Sequence, residues 1–247
     1  ALRLGYPLSE KLRQNISYRY EDNDIRNVDA TASTYIQQQK GKRTTSGVSQ
    51  ILVYDATDSR IDPSEGYALR LSNELTGVGG DSHYFLPKIG GTYYYPVRDK
   101  WVFSLVGETG NVFGWGGEDV RINERFFIGG ATLRGFRDAG IGPRDSATGD
   151  ALGGNQYWRG STQLEFPSGL PEDLGVRLHT FSDFGSLWSL DQSGAGIEDK
   201  NSARVSAGAG VAWRSPMGPV TADFAKALAS ESYDDEQVFR FSFGTRF

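Results

Sequence analysis

The sequence predicts an antiparallel transmembrane β-barrel of about twelve strands, and three observations lead there. The first is the closing stretch 238–247. Phe239, Phe241, Phe243 and Phe247 share one parity, interrupted by Thr245, while Arg240, Ser242, Gly244 and Arg246 occupy the other. Such period-2 alternation describes a strand with one apolar and one polar face. The second is that charges sit on the minority face of adjacent segments, the pattern of a hydrated lumen inside a wall whose outer solvent is lipid. Val205, Ala207, Ala209, Val211 and Trp213 oppose Arg204, Ser206 and Arg214; Trp158, Leu164 and Phe166 oppose Arg159, Ser161, Gln163 and Glu165; Leu174, Val176 and Leu178 oppose Arg177, His179 and Asp183. The third is a rhythm of short and long connections, again a barrel habit.

Taken in order, strands are expected at 1–8, 12–22, 46–56, 66–76, 82–97, 100–114, 121–131, 154–167, 173–189, 203–214, 218–228 and 237–247. Many reach the ~9–11 residues that a tilted strand needs to cross a bilayer. Short turns fall at 9–11, 62–66, 98–100 and 216–219, where Ser, Asp, Gly and Pro supply turn chemistry. Long links fall at 23–45, 77–81, 115–120, 132–153, 190–202 and 229–236. Within the first long link, Asp29 can cap a short helix near 30–40 that Gly41 would stop, although the β-branched Thr31, Thr34 and Ile36 work against it. Tyr93, Tyr94, Tyr95, Trp101, Phe113 and Trp115 fall near strand ends, where interfacial aromatics belong. No linker or second domain interrupts 1–247, which reads as a single barrel domain. The chain opens in a strand without an initiator methionine or export signal, and so reads as part of a longer exported protein.

Composition removes several function classes. No apolar run comes near the roughly 18–20 residues of a spanning helix. A formal net charge of −5 argues against nucleic acid as the main partner. With no cysteine, there is neither thiol chemistry nor a disulfide. The chain has two histidines, and no Gly-x-Ser-x-Gly, His-Glu-x-x-His or P-loop motif. His179 and Asp183 share a strand face, yet at four residues' separation their α-carbons stand about 13 Å apart, too far for a direct catalytic pair. Asp55, Asp58, Asp62 and Glu65 invite a calcium reading, but their spacing is not that of an EF-hand loop and suits strand-end turns. A non-enzymatic protein without metal or cofactor is expected.

The stretch 124–136 runs Glu-Arg-Phe-Phe-Ile-Gly-Gly-Ala-Thr-Leu-Arg-Gly-Phe, beginning like a strand and ending in a glycine-flanked arginine. Its last four residues, Leu133, Arg134, Gly135 and Phe136, resemble the hallmark tetrapeptide of the BamA family of outer-membrane assembly and secretion barrels. Further stretches look like the same family, in its order: 54–60 with Pro63 and Gly66, then 153–155, 164–166, 181–188, 215–219 and the terminal Phe247. The Ser-Pro-Met-Gly-Pro turn at 215–219 is most similar to the assembly branch. The match covers the last twelve strands of that family's sixteen-strand barrel and none of its periplasmic POTRA domains.

The resemblance implies a membrane-embedded insertase of the Gram-negative outer membrane. Its seam opens between first and last strands, and it templates unfolded outer-membrane β-barrel proteins on the exposed edge. Implied partners are those clients, accessory assembly lipoproteins and outer-membrane lipid. The resemblance also places Arg134 in the lumen against acidic residues of neighbouring strands, with Glu165 and Asp183 at the matching positions. In the family's clients an aromatic-ended C-terminal strand is the assembly signal, a role that would fall here to Phe239, Phe241, Phe243 and Phe247. Two other readings remain: a passive small pore or structural barrel, and the two-partner-secretion branch of the family.

Overall fold

The computed structural model describes residues 1–192, 194 and 196–244, so Phe247 lies outside the described residues. Strands β1 (Leu2–Pro7) and β2 (Leu12–Ile25) are followed by a four-residue helix α1 (Thr34–Gln37). Next come β3 (Gly41–Asp55), β4 (Gly66–Thr76), β5 (Tyr84–Arg98), β6 (Trp101–Asn111) and the two-residue β7 (Phe113–Gly114). The chain continues through β8 (Arg144–Asp145), β9 (Gln156–Pro167), β10 (Val176–Trp188), β11 (Ile197–Glu198), β12 (Arg204–Ser215), β13 (Gly218–Ala229) and β14 (Phe239–Phe243). Twelve of these form one antiparallel sheet, in the order β1-β2-β3-β4-β5-β6-β9-β10-β12-β13-β14, with β7 pairing β5. β8 and β11 make a separate ribbon.

The sheet curls on itself. Arg214, at the end of β12, pairs with Asp62 in the β3–β4 turn, reaching across the four strands that separate β4 from β12 in the sheet. Toward the opposite mouth, the Ser33 amide donates to Asp150 at 2.7 Å and Arg121 to the Gln39 carbonyl. The greasy parity of each strand faces outward, as with Tyr67, Leu69, Leu71 and Leu75 on β4 or Phe239, Phe241 and Phe243 on β14, all exposed. No described helix is long and apolar enough to cross a membrane, so any crossing falls to strands.

Three expectations need correction. Residues 121–131 are not a strand: Ile122–Glu124 is a single 3-10 turn, and only Phe126 and Ile128 form isolated bridges, to Gly154 and Ile141. Within this run Ile128 is apolar because it packs in the buried core and Phe126 because it packs against that core, and Gly129 (φ +137°) and Gly130 (φ +58°) end the extension. The twelfth strand of the sheet is instead β7, split from the end of the expected 100–114 segment. The link 23–45 is shorter than expected, because β2 and β3 pair all the way to Ile25 opposite Gly41. There Asp24 lies opposite Lys42, in a stretch of ladder whose polarity disguises it in sequence. Finally, the helix is capped by Ser33 and not by Asp29, which accepts locally from the Thr31 amide and hydroxyl (both 2.8 Å). Gly41 (φ +113°) starts β3, three residues beyond the helix's C-cap Gln38.

Candidate functional site

The segment between β7 and β9 folds into the curled sheet and supplies half of the buried apolar residues among those described. Arg125 roots it, donating to the carbonyls of Val120 (3.1 and 2.9 Å) and Leu152 (3.1 Å). Thr132 then closes a tight turn by donating to the Gly129 carbonyl at 2.7 Å and accepting from the Gly129 amide. Leu133 and Phe136 are fully buried in a cluster with Ile128, Ile141, Tyr157 and Leu187. Anchoring by two large apolar side chains on either side leaves Arg134 no freedom to swing outward.

Arg134 is buried, and four guanidinium hydrogen bonds hold it. Its Nε and Nη2 donate to the two carboxylate oxygens of Asp183, both at 2.8 Å, and its own amide donates to the same carboxylate at 2.9 Å. Nη1 donates to Gln163 Oε1 (2.9 Å) and Nη2 also to Ser161 Oγ (3.2 Å). The guanidinium carbon lies 3.3 Å from the ring centroid of Phe181, and the Arg134 carbonyl accepts from Ser206. This is a bidentate, charge-assisted contact supported by two further side-chain acceptors, and such added bonds are what let a buried ion pair hold its geometry. Gly135 (φ +93°) has to be glycine: a Cβ there would lie 2.8 Å from the Ser206 Cβ.

Of the two acidic residues expected to flank Arg134, the structure brings only Asp183. Glu165 pairs instead with Arg177 at 2.9 Å. It sits two residues beyond Gln163 on β9, about 7 Å farther along the wall, so the neutral Gln163 meets the guanidinium in its place. Ser161, Gln163 and Phe181 were legible as lumen-facing by parity, but nothing local marks them as partners. The remaining histidine-carboxylate contact in the lumen is His179 to Asp223, 2.6 Å apart and buried. Its partner is on β13 and not Asp183, because Gly210 on the intervening β12 leaves the space; a Cβ there would lie 2.6 Å from His179 Nε2.

The acidic turn beside β3 is used for turn geometry. Asp55 accepts from Thr57 Oγ1 at 2.6 Å, and Asp58 accepts from Ser64 Oγ (2.6 Å) and the Ser64 and Glu65 amides (2.9 and 3.1 Å). The Ser64 hydroxyl, helped by those amides, holds the Asp58 carboxyl down at about 2. Phe239, Phe241 and Phe243 point outward from β14, and Arg240 points inward to Asp138 at 3.0 Å.

A model of the Omp85 superfamily domain matches residues 1–247. The chain is 33% identical over 239 residues to the outer membrane protein assembly factor BamA of Neorickettsia risticii, covering 96% of this chain and 32% of that protein. It is 31% identical over 174 residues to the sorting and assembly machinery component 50 homolog of Homo sapiens, covering 65% and 35%. The crystal structure of BamA from Haemophilus ducreyi lacking POTRA domains 1–3 superposes with a TM-score of 0.83 over 97% of this chain and 52% of that one, at 24% identity. The chain thus spans about a third of the length of the first two relatives.

Proposed function

Because this chain belongs to the Omp85 superfamily, we propose that it is the membrane-embedded barrel of an outer-membrane protein assembly factor in a Gram-negative bacterium. The observation that carries the reading is the state of the sheet's two ends. Among the described residues, β1 ladders only with β2 and β14 only with β13. Each therefore offers a row of main-chain donors and acceptors on its other side, and such an edge recruits an incoming strand by β-augmentation. The client is an unfolded outer-membrane β-barrel protein, whose alternating strands match an edge that is aromatic toward lipid and polar toward the lumen. The work is non-covalent: the edge supplies hydrogen bonds and register, and the outward apolar wall stands in outer-membrane lipid. Leu133, Arg134, Gly135 and Phe136 fix the lumen loop, and Phe239, Phe241 and Phe243 form the lipid-facing half of the templating strand. Accessory assembly lipoproteins complete the machine in this reading.

The test is reconstitution. The protein in phospholipid vesicles is presented with a urea-unfolded outer-membrane barrel, and folding of the client is followed by its heat-modifiable gel mobility. Faster folding than in empty vesicles supports the proposal. Ion conductance without any acceleration would overturn it in favour of a pore.

A further inference from the structure

The main-chain bonds around the last strand separate its two edges. The Ala225 amide donates to the Val238 carbonyl (2.8 Å) and the Gly244 amide to the Pro219 carbonyl (3.0 Å), so the even-numbered residues of 238–244 turn their main chain toward β13. The odd-numbered residues turn theirs to the far edge. Just upstream that far edge is already occupied. The Gln237 amide donates to the Gly135 carbonyl (3.0 Å), the Arg137 amide to the Asp235 carbonyl (2.8 Å) and the Asp235 amide to the Gly140 carbonyl (2.8 Å). Phe136 stands opposite Glu236 in an antiparallel bridge. The lumen loop therefore acts as one short extra strand along the lead-in to β14. Two ion pairs brace it, Arg137 with Asp235 (3.3 Å) and Asp138 with Arg240 (3.0 Å).

We infer that the loop is a register stop at the seam. It fills the free edge of the final strand at 235–237, so a β-strand added along that edge pairs with 239–243 and ends where the loop begins. This rests on the templating reading above and gives that site its positioning residues, Asp138 and Arg240. Among the described residues the open portion is the five of β14, about 17 Å at 3.4 Å per residue. Its partner chemistry is an alternating strand, because Phe239, Phe241 and Phe243 favour aromatic or β-branched neighbours across the outer face.

The chain has no cysteine, so single substitutions Asp235→Cys, Gln237→Cys, Phe239→Cys and Phe241→Cys each report one position. The probe is a synthetic ten-residue peptide of alternating valine and threonine carrying one terminal cysteine, offered to the protein in micelles. Disulfide capture is expected at 239 and 241 and about tenfold less at 235 and 237, since pairing there must first break the loop's main-chain bonds. Arg134→Gln, whose side chain touches β9 and β10 and no atom of β14, should release the loop and raise capture at 235 and 237 toward that at 239. If that variant does not fold, hydrogen exchange of the unmodified protein decides: the Asp235 and Gln237 amides should exchange more slowly than those of Phe239 and Phe241. Equal capture at all four positions with the loop in place, or fast exchange at 235 and 237, would overturn the stop. No capture anywhere, with 235 and 237 still slow, would overturn templating, and with it the stop's role in setting register, while the loop's occupancy of 235–237 would stand.

Discussion

Replacing Asp183 with asparagine removes one charge and one acceptor from the buried ion pair that holds the lumen loop. Asp183 Oδ2 accepts from both the amide and Nε of Arg134, while Oδ1 accepts from Nη2 and from Ser161 Oγ at 2.6 Å. An asparagine keeps one oxygen but turns an NH2 group toward two donors or toward the other two, whichever way it is placed. Breaking a buried pair from one side costs about 3–5 kcal/mol. Gln163 and Ser161 still accept from Arg134, which puts the loss near the lower end, about 3 kcal/mol or roughly a hundredfold in the docking equilibrium of the loop. Trypsin reads that equilibrium directly, because cleavage after Arg134 requires the loop to leave the lumen. The expected result is a rise of about two orders of magnitude in cleavage at that bond, with the sheet intact by circular dichroism. Cleavage unchanged from the native protein would refute the argument that this pair fixes the loop.

Phe136→Ala empties a fully buried site in the loop's apolar cluster and should cost about 3–5 kcal/mol, seen as a lowered unfolding midpoint. Glu165→Gln should leave tryptic cleavage after Arg134 unchanged, because Glu165 serves Arg177 in a partly exposed pair that does not touch the loop. Gly210→Ala should separate His179 from Asp223, since the added Cβ collides with both, detectable as a changed His179 ring signal in nuclear magnetic resonance. The Asp58 carboxyl is held at about 2, below its ordinary value. The stability it gives the 56–65 turn is therefore full above the ordinary carboxylate range and disappears as pH falls through about 2. A carboxyl titration midpoint near 4 in the folded protein would contradict this.

The strand wall was legible from residue parity because lipid outside and water inside impose opposite chemistry on neighbouring residues. The same rule placed Asp183 in the lumen correctly. Parity failed where its premise failed: Phe126 and Ile128 are apolar through packing on the core and not through facing lipid, and in one dimension the two look alike. The family resemblance put Glu165 beside Arg134, and parity could not choose between it and Gln163 on the same face; depth along β9 decides, and Gln163 is at the right depth. The contact of 135–140 with 235–240 joins residues a hundred positions apart and leaves no local signature. The cap at Ser33 was missed because Asp29 is an equally good capping residue whose side chain found a nearer use in Thr31.

The contact between Asp138 and Arg240 spans 102 residues, while the Arg134–Asp183 contact spans 49. The first closes only once β14 is in place, the second as soon as β9 and β10 are. Contacts of such sequence separation form late and slow a chain's self-assembly. The first part of the loop to dock does so on β10, and its far end has to wait for the last strand to be made and threaded. The loop therefore docks in two stages along the sequence, its near end with β10 and its far end only with β14, so an intermediate with strands through β10 in place would already hold Arg134 while leaving Asp138 free.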